Sequence, residues 1–322
     1  IPVVPLARDS MLPKPALSAA QRRASFVRRS LAARGLIEAV TFSFLPKAQA
    51  QLFGGGSEAL TLANPISADM AVMRTCLWPG LMQAVLYNQN RQQGRIRLFE
   101  IGTRFRPEGD QIREEMVVSA IAVGSNEPEQ WGMAKRDADF YDVKGDVEAL
   151  LAKTGRPRDY AFRAATHKAL HPGQTAVIDA VHGRVAGVMG TLHPQSLKKL
   201  NYNMLPVVFE LILEEINEAA LPRFREASKF PAIRRDIAVI VDSAITSMAL
   251  RQDIIATSGE LLRELQLFDV YTGKGIDSNK KSIALGLTLQ DSSRTLMDRD
   301  VDLVIELVLA SLREKFGATL RD

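Results

Sequence analysis

The sequence has one cysteine in 322 residues, few aromatic residues and no long apolar run. Because Cys76 is the single cysteine, an internal disulfide and a cysteine-based zinc site are both excluded, since each needs at least two cysteines. No stretch approaches the roughly 18 apolar residues of a membrane span, so we expect no membrane association of that kind. A reducing compartment, the cytoplasm, fits this composition best.

Strong net charge is also missing. Lysine and arginine number 41 against 37 aspartates and glutamates, and from residue 229 onward the balance is 13 basic to 14 acidic residues. A non-specific nucleic-acid binder has a strongly basic surface, so that class is excluded. If RNA binds here, local geometry must do much of the selecting.

Length and apolar content predict two folded domains. The chain is about twice the ~150 residues of one domain, and 46% of its residues are hydrophobic. The chain begins at Ile1 with a proline-punctuated stretch over 1–15 that does not resemble a signal peptide. We therefore expect a piece of a longer protein.

Hydrophobic periodicity predicts an α+β fold in both domains. Over 1–216, helices are expected at 18–34, 78–92 and 142–155, and strands at 36–45, 95–105, 115–124, 175–180, 184–192 and 207–216. Many of these strands should pair antiparallel. A linker is expected over 217–228. Residues 229–322 follow a β-α-β-β-α-β order, with Asp298 expected to cap the last helix.

The first domain offers no convincing catalytic constellation. His167 and His171 have helical spacing, but Pro172 follows at once and no glutamate lies between them, so a structural role is favoured over metal binding. Cys76 has no evident base nearby and is interpreted as a core thiol. Glu214 and Glu215 are consecutive in a predicted strand, which points them to opposite faces as solvated charges.

The second domain carries a more informative pattern in two of its strands. Strand alternation places Asp269 and Tyr271 on one face and Phe268 and Val270 on the other. In the next strand the helix-facing positions are Ile283, Leu285, Leu287 and Leu289, and the open-face positions are the small residues Ser282, Ala284, Gly286 and Thr288. An aromatic ring beside a carboxylate on an open sheet can stack a base and read the edge of guanine. The alternative is structural: Asp269 caps a strand and Tyr271 covers an apolar edge.

Eleven short strings, in order, make the chain resemble the C-terminal part of bacterial phenylalanyl-tRNA synthetase β subunits. They are NPIS, MRTCLWPGLMQAVLYNQNRQ, RLFEIGTRF, DFYDVKGDVEALL, LHPGQTAVI, GTLHP, KFPAIRRDIAVIV, LFDVYTGKGI, KKSIALGLTLQ, RTLMDRDV and GATLR. Each string is weak alone, but the ordered set is specific and spans nearly the whole chain.

The resemblance implies a class II synthetase-like module over 1–216 that has lost its active site and packs against a catalytic α subunit. Class II chemistry needs arginines for ATP, yet RLFEIG keeps Arg97 and Glu100 at the wrong spacing, and VVFELILEEI has neither arginine nor glycine. We therefore expect no catalytic residue in this chain. The helices at 18–34 and 78–92 are candidates for the α contact within an (αβ)₂ heterotetramer.

The resemblance also implies that 229–322 is a ferredoxin-like anticodon-binding domain for tRNA(Phe). Carried over residue by residue, Asp269, Tyr271 and Ser282 contact the first anticodon base, and Arg235 and Arg294 are weaker RNA-contact candidates. The whole enzyme uses ATP and magnesium. The family's oligonucleotide-fold, editing and magnesium-site modules do not occur in this sequence, so we expect it neither to edit nor to bind that metal.

Two rival interpretations stay open at this point. One is an active single-chain class II ligase, which the missing motif arginines argue against. The other is a stand-alone RNA-binding or structural protein that reuses the same two modules. Association with a synthetase α subunit separates these possibilities.

Overall fold

The computed structural model describes residues 16–216, 221, 224 and 227–321, apart from the side chain of residue 182. The segment 1–15 and most of the expected linker 217–228 lie outside the described residues. The chain divides into two compact units, Ile1–Pro222 and Arg223–Asp322. Among the described helices, none combines the length and apolar character needed to cross a bilayer.

The described part of the first unit contains five α-helices and nine strands. The helices are α1 (Ala19–Ala32), α2 (Lys47–Leu52), α3 (Trp78–Gln89), α4 (Phe140–Ala152) and α5 (Pro194–Lys199). The strands are β1 (Ile37–Glu38), β2 (Phe44–Leu45), β3 (Val72–Met73), β4 (Arg95–Glu108), β5 (Gln111–Gly124), β6 (Ala161–Ala164), β7 (Leu170–Asp179), β8 (Val185–Leu192) and β9 (Val207–Ile212).

Seven of these strands form one sheet in the order β1-β4-β5-β9-β8-β7-β6. All neighbours are antiparallel except β1 and β4, which run parallel at the sheet edge. The long β4–β5 hairpin pairs continuously from Arg95 with Gly124 to Glu108 with Gln111. The predicted α+β fold with mostly antiparallel pairing is confirmed for this unit.

Both faces of the large sheet are buried. One face packs against α1 and α4, where Leu31 and Val147 meet Phe209 in a single apolar cluster. The other face packs against α3 and α5, where Trp78 and Val208 belong to a second cluster. Because both faces are covered, β9 reads as a nearly continuous apolar run instead of an alternating one.

The predicted strand over 36–45 is wrong as a single element. The chain pairs only at β1 and β2, and between them the N–H and hydroxyl of Thr41 both donate to the buried carboxylate of Glu100. That attachment draws the backbone away from the sheet. It leaves Val40 and Phe42 exposed by 90% and 70%, where the prediction had placed a strand face.

The predicted strand over 207–216 is also too long. It ends at Ile212, and Leu213–Glu215 forms a 3₁₀ turn. The two glutamates therefore do not point to opposite faces of a strand. Glu215 instead pairs with Arg184 at 3.2 Å.

The second unit has the predicted β-α-β-β-α-β order, which is confirmed. Its elements are β10 (Ile233–Asp242), α6 (Ser247–Ser258), β11 (Leu262–Tyr271), β12 (Lys280–Leu289), α7 (Asp298–Phe316) and β13 (Thr319–Leu320). The sheet order is β11-β12-β10-β13, with every pair antiparallel.

Helices α6 and α7 pack on one face of this sheet. Ile283, Leu285 and Leu287 of β12 lie in the same apolar cluster as Leu250 of α6 and Leu312 of α7. Strand alternation along β12 is therefore as predicted, and its even-numbered residues face away from the helices.

The predicted capping role of Asp298 is wrong. The helix begins at Asp298 with Met297 in the cap position. The carboxylate of Asp300 instead reaches back and accepts the backbone N–H of Met297 at 3.0 Å.

Candidate nucleic-acid interface

The face of the second unit away from its helices brings the three principal candidates together. Tyr271 of β11 pairs directly with Ser282 of β12, and Asp269 pairs with Ala284 one step along the same face. Asp269 is exposed, and among the described residues nothing hydrogen-bonds to its carboxylate. An unpartnered carboxylate on an open sheet is free to accept two N–H groups from a ligand.

A β-bulge changes the pattern predicted for β11. The register shifts between Leu267 and Asp269, so Phe268 is an extra residue without a partner on β12. Phe268 lies under the guanidinium of Arg234, 5.6 Å from its ring centroid, and that guanidinium in turn lies over Gly286 of the open face. The prediction that Phe268 and Val270 share the helix-facing side is therefore wrong for Phe268. The open face carries two aromatic rings instead of one.

Ser282 lies on the predicted face but is not accessible from it. Its residue exposure is 2%, and its Oγ accepts a hydrogen bond from Nη1 of Arg321 at 3.4 Å. Arg321 follows the edge strand β13, and its side chain reaches over β10 to this position. A ligand on this face meets the guanidinium of Arg321 before it meets the serine hydroxyl.

Tyr271 is held from two sides. Its hydroxyl donates to the carbonyl of Lys274 at 3.1 Å, and the Arg321 guanidinium lies 4.7 Å from its ring centroid. Gly273 leaves room for the ring, since a Cβ there would lie 2.4 Å from the Tyr271 hydroxyl. The ring is thus fixed before any ligand arrives, which lowers the entropy cost of stacking.

The two weaker candidates lie elsewhere. Arg235 alternates to the helix side of β10, where it donates to Asp298 at 2.7 Å. Arg294 lies in the loop before α7 and donates to Asp300 at 2.9 Å. Both guanidiniums are already paired with carboxylates at the start of α7, and the structure does not bring them to the Tyr271 face.

Sequence reasoning did not single out Arg321 or Phe268 as functional. The sequence does offer a signal for Arg321. It is a basic residue just past a short closing strand, and its long side chain can reach across a narrow sheet. Phe268 has none, since no glycine marks the bulge that leaves both Phe268 and Asp269 on the open face.

In the first unit, several arginines in and beside the large sheet are paired with internal carboxylates. Arg97 pairs with Asp146, and Arg74 donates to Glu100 at 2.8 Å with both side chains at most 4% exposed. Arg74 also donates to the carbonyl of Thr103 at 2.8 Å. These guanidiniums are therefore engaged in internal ion pairs and hydrogen bonds and are not available to bind a phosphate.

A second buried group of charges surrounds Glu210. Its carboxylate accepts from Arg104 at 2.7 Å and from the backbone N–H of Leu77 at 2.9 Å, and Arg104 also donates to Glu115. Burial raises the pKa of the Glu210 carboxyl, although Arg104 opposes that shift. Burial likewise raises the pKa of the Cys76 thiol, which makes that thiol a poor nucleophile.

Three of the histidines act as local hydrogen-bond acceptors. Nδ1 of His167 accepts the N–H of Ala169 at 3.2 Å, and its ring meets Trp78 edge-on at 5.3 Å. His171 and His193 accept backbone N–H groups two residues on. Within the described part of the chain, no group of three or more His, Cys, Asp or Glu side chains is arranged to hold a metal.

Comparison with known proteins gives two family matches that together cover most of the chain. Residues 7–213 match the family described as "Phenylalanyl tRNA synthetase beta chain CLM domain". Residues 228–321 match "Ferredoxin-fold anticodon binding domain". The chain belongs to the phenylalanyl-tRNA synthetase β-chain family. The resemblance inferred from the sequence strings is thereby confirmed.

Curated relatives agree with that assignment. Phenylalanine–tRNA ligase β subunits from Pseudomonas putida, Colwellia psychrerythraea and Aliivibrio fischeri are 47%, 46% and 45% identical, each across 92% of this chain. The chain spans only 37–38% of the length of these relatives. A solved structure of a pyrrolysyl-tRNA synthetase from Desulfitobacterium hafniense aligns at 14% sequence identity and a TM-score of 0.47. The alignment covers 62% of this chain and 67% of the synthetase chain.

Proposed function

We propose that this chain acts within the β subunit of a phenylalanine–tRNA ligase and binds the anticodon of tRNA(Phe) during ATP-dependent aminoacylation in the cytoplasm. The observation that carries the proposal is the open face of the second unit. A fixed ring at Tyr271, a free carboxylate at Asp269 and the guanidinium of Arg321 meet there, in a unit that matches an anticodon-binding family.

The three groups suit the first anticodon base, guanine, for separate reasons. Tyr271 offers a flat surface for stacking, which contributes about 1–3 kcal/mol per base. Asp269 accepts the two N–H donors of the guanine edge, which no other base presents together. Ser282 is proposed to act through Arg321, which it helps to position, because its own hydroxyl is buried.

The first unit is proposed to be a structural partner of a catalytic α subunit. Its described residues do not fit ATP, since the arginines Arg74, Arg97 and Arg104 are all paired with internal carboxylates. We place the ATP and magnesium of the whole enzyme outside this chain. The linker between the two functional parts is proposed to be 217–228.

An exposed apolar segment supports the existence of a partner. Ile37, Val40 and Phe42 are 68%, 90% and 70% exposed at the edge of the large sheet, a grouping that marks interaction surfaces. We propose that this segment contacts the α subunit within an (αβ)₂ heterotetramer. Light scattering of the intact β chain with its α partner tests the assembly, and a β chain that stays monomeric beside α would contradict it.

Two binding measurements test the anticodon proposal. The intact chain is titrated with a tRNA(Phe) transcript and with one in which the first anticodon guanine is replaced. Tyr271→Ala should weaken binding of the first transcript about ten- to a hundredfold at constant salt. Asp269→Asn should reduce the preference for guanine, because an amide supplies an unwanted donor. Equal discrimination by both variants and the wild type would return these residues to the structural interpretation.

The stand-alone alternative is less favoured, because relatives matching 92% of the chain are ligase β subunits. Pull-down with the α subunit separates the two functions. The rival of an active single-chain ligase predicts phenylalanine-dependent pyrophosphate exchange by the purified chain, and we expect none.

A further inference from the structure

The open face of the second unit carries a second aromatic–guanidinium pair that the first anticodon base leaves unused. Phe268 is 48% exposed although it lies on a sheet strand, and Arg234 covers part of its ring at 5.6 Å. We propose that Phe268 and Arg234 form a second base-stacking position, which takes the nucleotide next to the one on Tyr271. This inference rests on the proposed anticodon function and extends it to two successive bases of single-stranded RNA.

The bulge is what brings these groups onto one face. Leu265 and Leu267 pair with helix-facing residues of β12, so plain alternation would place Phe268 on the open face but Asp269 on the helix side. With the bulge, Phe268 and Asp269 both belong to the open face, and Tyr271 follows two residues later on that face. At about 3.3 Å per residue, the strand separates the two aromatic residues by no more than ~10 Å. Neighbouring nucleotides of one unpaired strand can reach both rings.

The Arg234 side chain is held flat against the sheet. Its Nε donates to Asp236 at 2.8 Å, and a Cβ at Gly286 would lie only 2.6 Å from its Nη2. The glycine therefore leaves the space in which the guanidinium lies. A planar cation beside an aromatic ring offers a base two surfaces, one for π-stacking and one for cation–π contact.

The occupant is a nucleobase, and the charges around the ring argue for it. Arg234 is paired with Asp236, and both side chains are about half exposed, so the site has no net charge with which to attract an anion alone. A neutral, flat and polar-edged group suits such a site better than a free phosphate does. Every nucleobase has a flat π-face that can stack. The position should therefore add affinity for RNA whichever base occupies it.

The test uses the intact chain and a synthetic RNA hairpin with the tRNA(Phe) anticodon loop. One loop position at a time carries 2-aminopurine, a fluorescent purine that is quenched by stacking. Tyr271→Ala is expected to abolish quenching at one position, and Phe268→Ala at the adjacent position. Phe268→Ala should also weaken binding about five- to a hundredfold. Phe268→Tyr, which keeps the ring, should restore both signals.

Val270→Ala is the matched control. Val270 is 51% exposed on the same strand, but it pairs with Ile283, whose side chain lies in the helix-side core. Its loss should leave quenching at both positions unchanged.

The outcomes separate this inference from the proposed function. If Phe268→Ala binds and quenches like the wild type while Tyr271→Ala does not, the second position is disproved and the anticodon proposal stands. Loss of quenching at one shared position in both variants also disproves a separate second position. If neither variant changes binding, both proposals fall.

Discussion

The buried ion pair between Arg74 and Glu100 provides a quantitative test of how the first unit is held together. Glu100 accepts the Arg74 guanidinium at 2.8 Å, the Thr41 hydroxyl at 2.7 Å and the Thr41 N–H at 3.2 Å. Glu100→Gln keeps the shape of the side chain and removes its charge. Arg74, 4% exposed, is then a buried cation without a counter-charge.

Removing one partner from a buried, hydrogen-bonded pair costs about 3–5 kcal/mol of unfolding free energy. A typical domain has only ~5–15 kcal/mol in total, so the change should be large. With a urea slope of ~2–3 kcal/mol/M, the unfolding midpoint should fall by about 1–2.5 M.

Tryptophan fluorescence isolates the relevant unit, because both tryptophans of the chain lie in the first unit. Trp78 is 1% exposed and should report unfolding, whereas Trp131 is fully exposed and should change little. Urea titration of the intact chain therefore measures the first unit without a contribution from the second.

Two controls sharpen this experiment. Glu58→Gln removes an exposed partner of Lys47 and should leave the midpoint unchanged. Arg74→Met combined with Glu100→Leu should cost less than the sum of the single changes, since no buried charge is left behind. A wild-type midpoint for Glu100→Gln would refute the argument that this pair stabilises the unit.

Three further changes test other parts of the structure. Arg321→Ala should expose Ser282 and weaken binding of the tRNA(Phe) transcript about fivefold or more without altering the thermal midpoint. Fluorescence anisotropy checks this, and Arg321→Lys should restore it only in part. Burial lowers the pKa of His167 below its ordinary 6.5, so the unfolded chain binds the proton first as the pH falls. The contribution of His167 to the stability of the first unit is thus fully present above that value and is lost progressively as the pH falls below it. His167→Asn, which keeps an acceptor for the Ala169 N–H, should flatten this dependence in urea titrations from about pH 7.5 to about pH 5.5. Gly124 has φ +80°, and a Cβ there would lie 1.8 Å from the Gly94 carbonyl oxygen. Gly124→Ala should lower the Trp78-detected urea midpoint by more than Gly109→Ala, which has positive φ but open space.

The fold was predictable where one physical pattern dominates. The β-α-β-β-α-β order and the helix-facing side of β12 follow from hydrophobic alternation, because Leu285 and its neighbours at every second position must be buried. Along 36–45 the same pattern predicted one continuous strand, but only β1 and β2 form there. There a tertiary hydrogen bond from Thr41 to Glu100, 59 residues away, decides the backbone path.

The candidate site was predictable in position but not in detail. Strand alternation placed Asp269, Tyr271 and Ser282 on one face of the sheet. Asp269 and Tyr271 do lie together there, whereas Ser282 is buried beneath Arg321. A β-bulge shifts strand alternation by one residue and leaves no mark in the amino-acid composition. The sequence alone therefore could not show that Phe268 shares a face with Asp269. Contacts made by long side chains across a sheet, as with Arg321, depend on strand order and are likewise invisible in one sequence.

The small open-face residues of β12 have a consequence for how this site can be mapped. Ser282 and Gly286 lie beneath the guanidiniums of Arg321 and Arg234. Together with Ala284 and Thr288, they set how closely those guanidiniums and a flat ring can approach the backbone. Alanine scanning is nearly blind to such positions, because alanine is about as small as the native residues. Only enlarging substitutions, which lift a ring outward from Asp269, would reveal that the depth of the platform is itself a determinant of which bases it accepts.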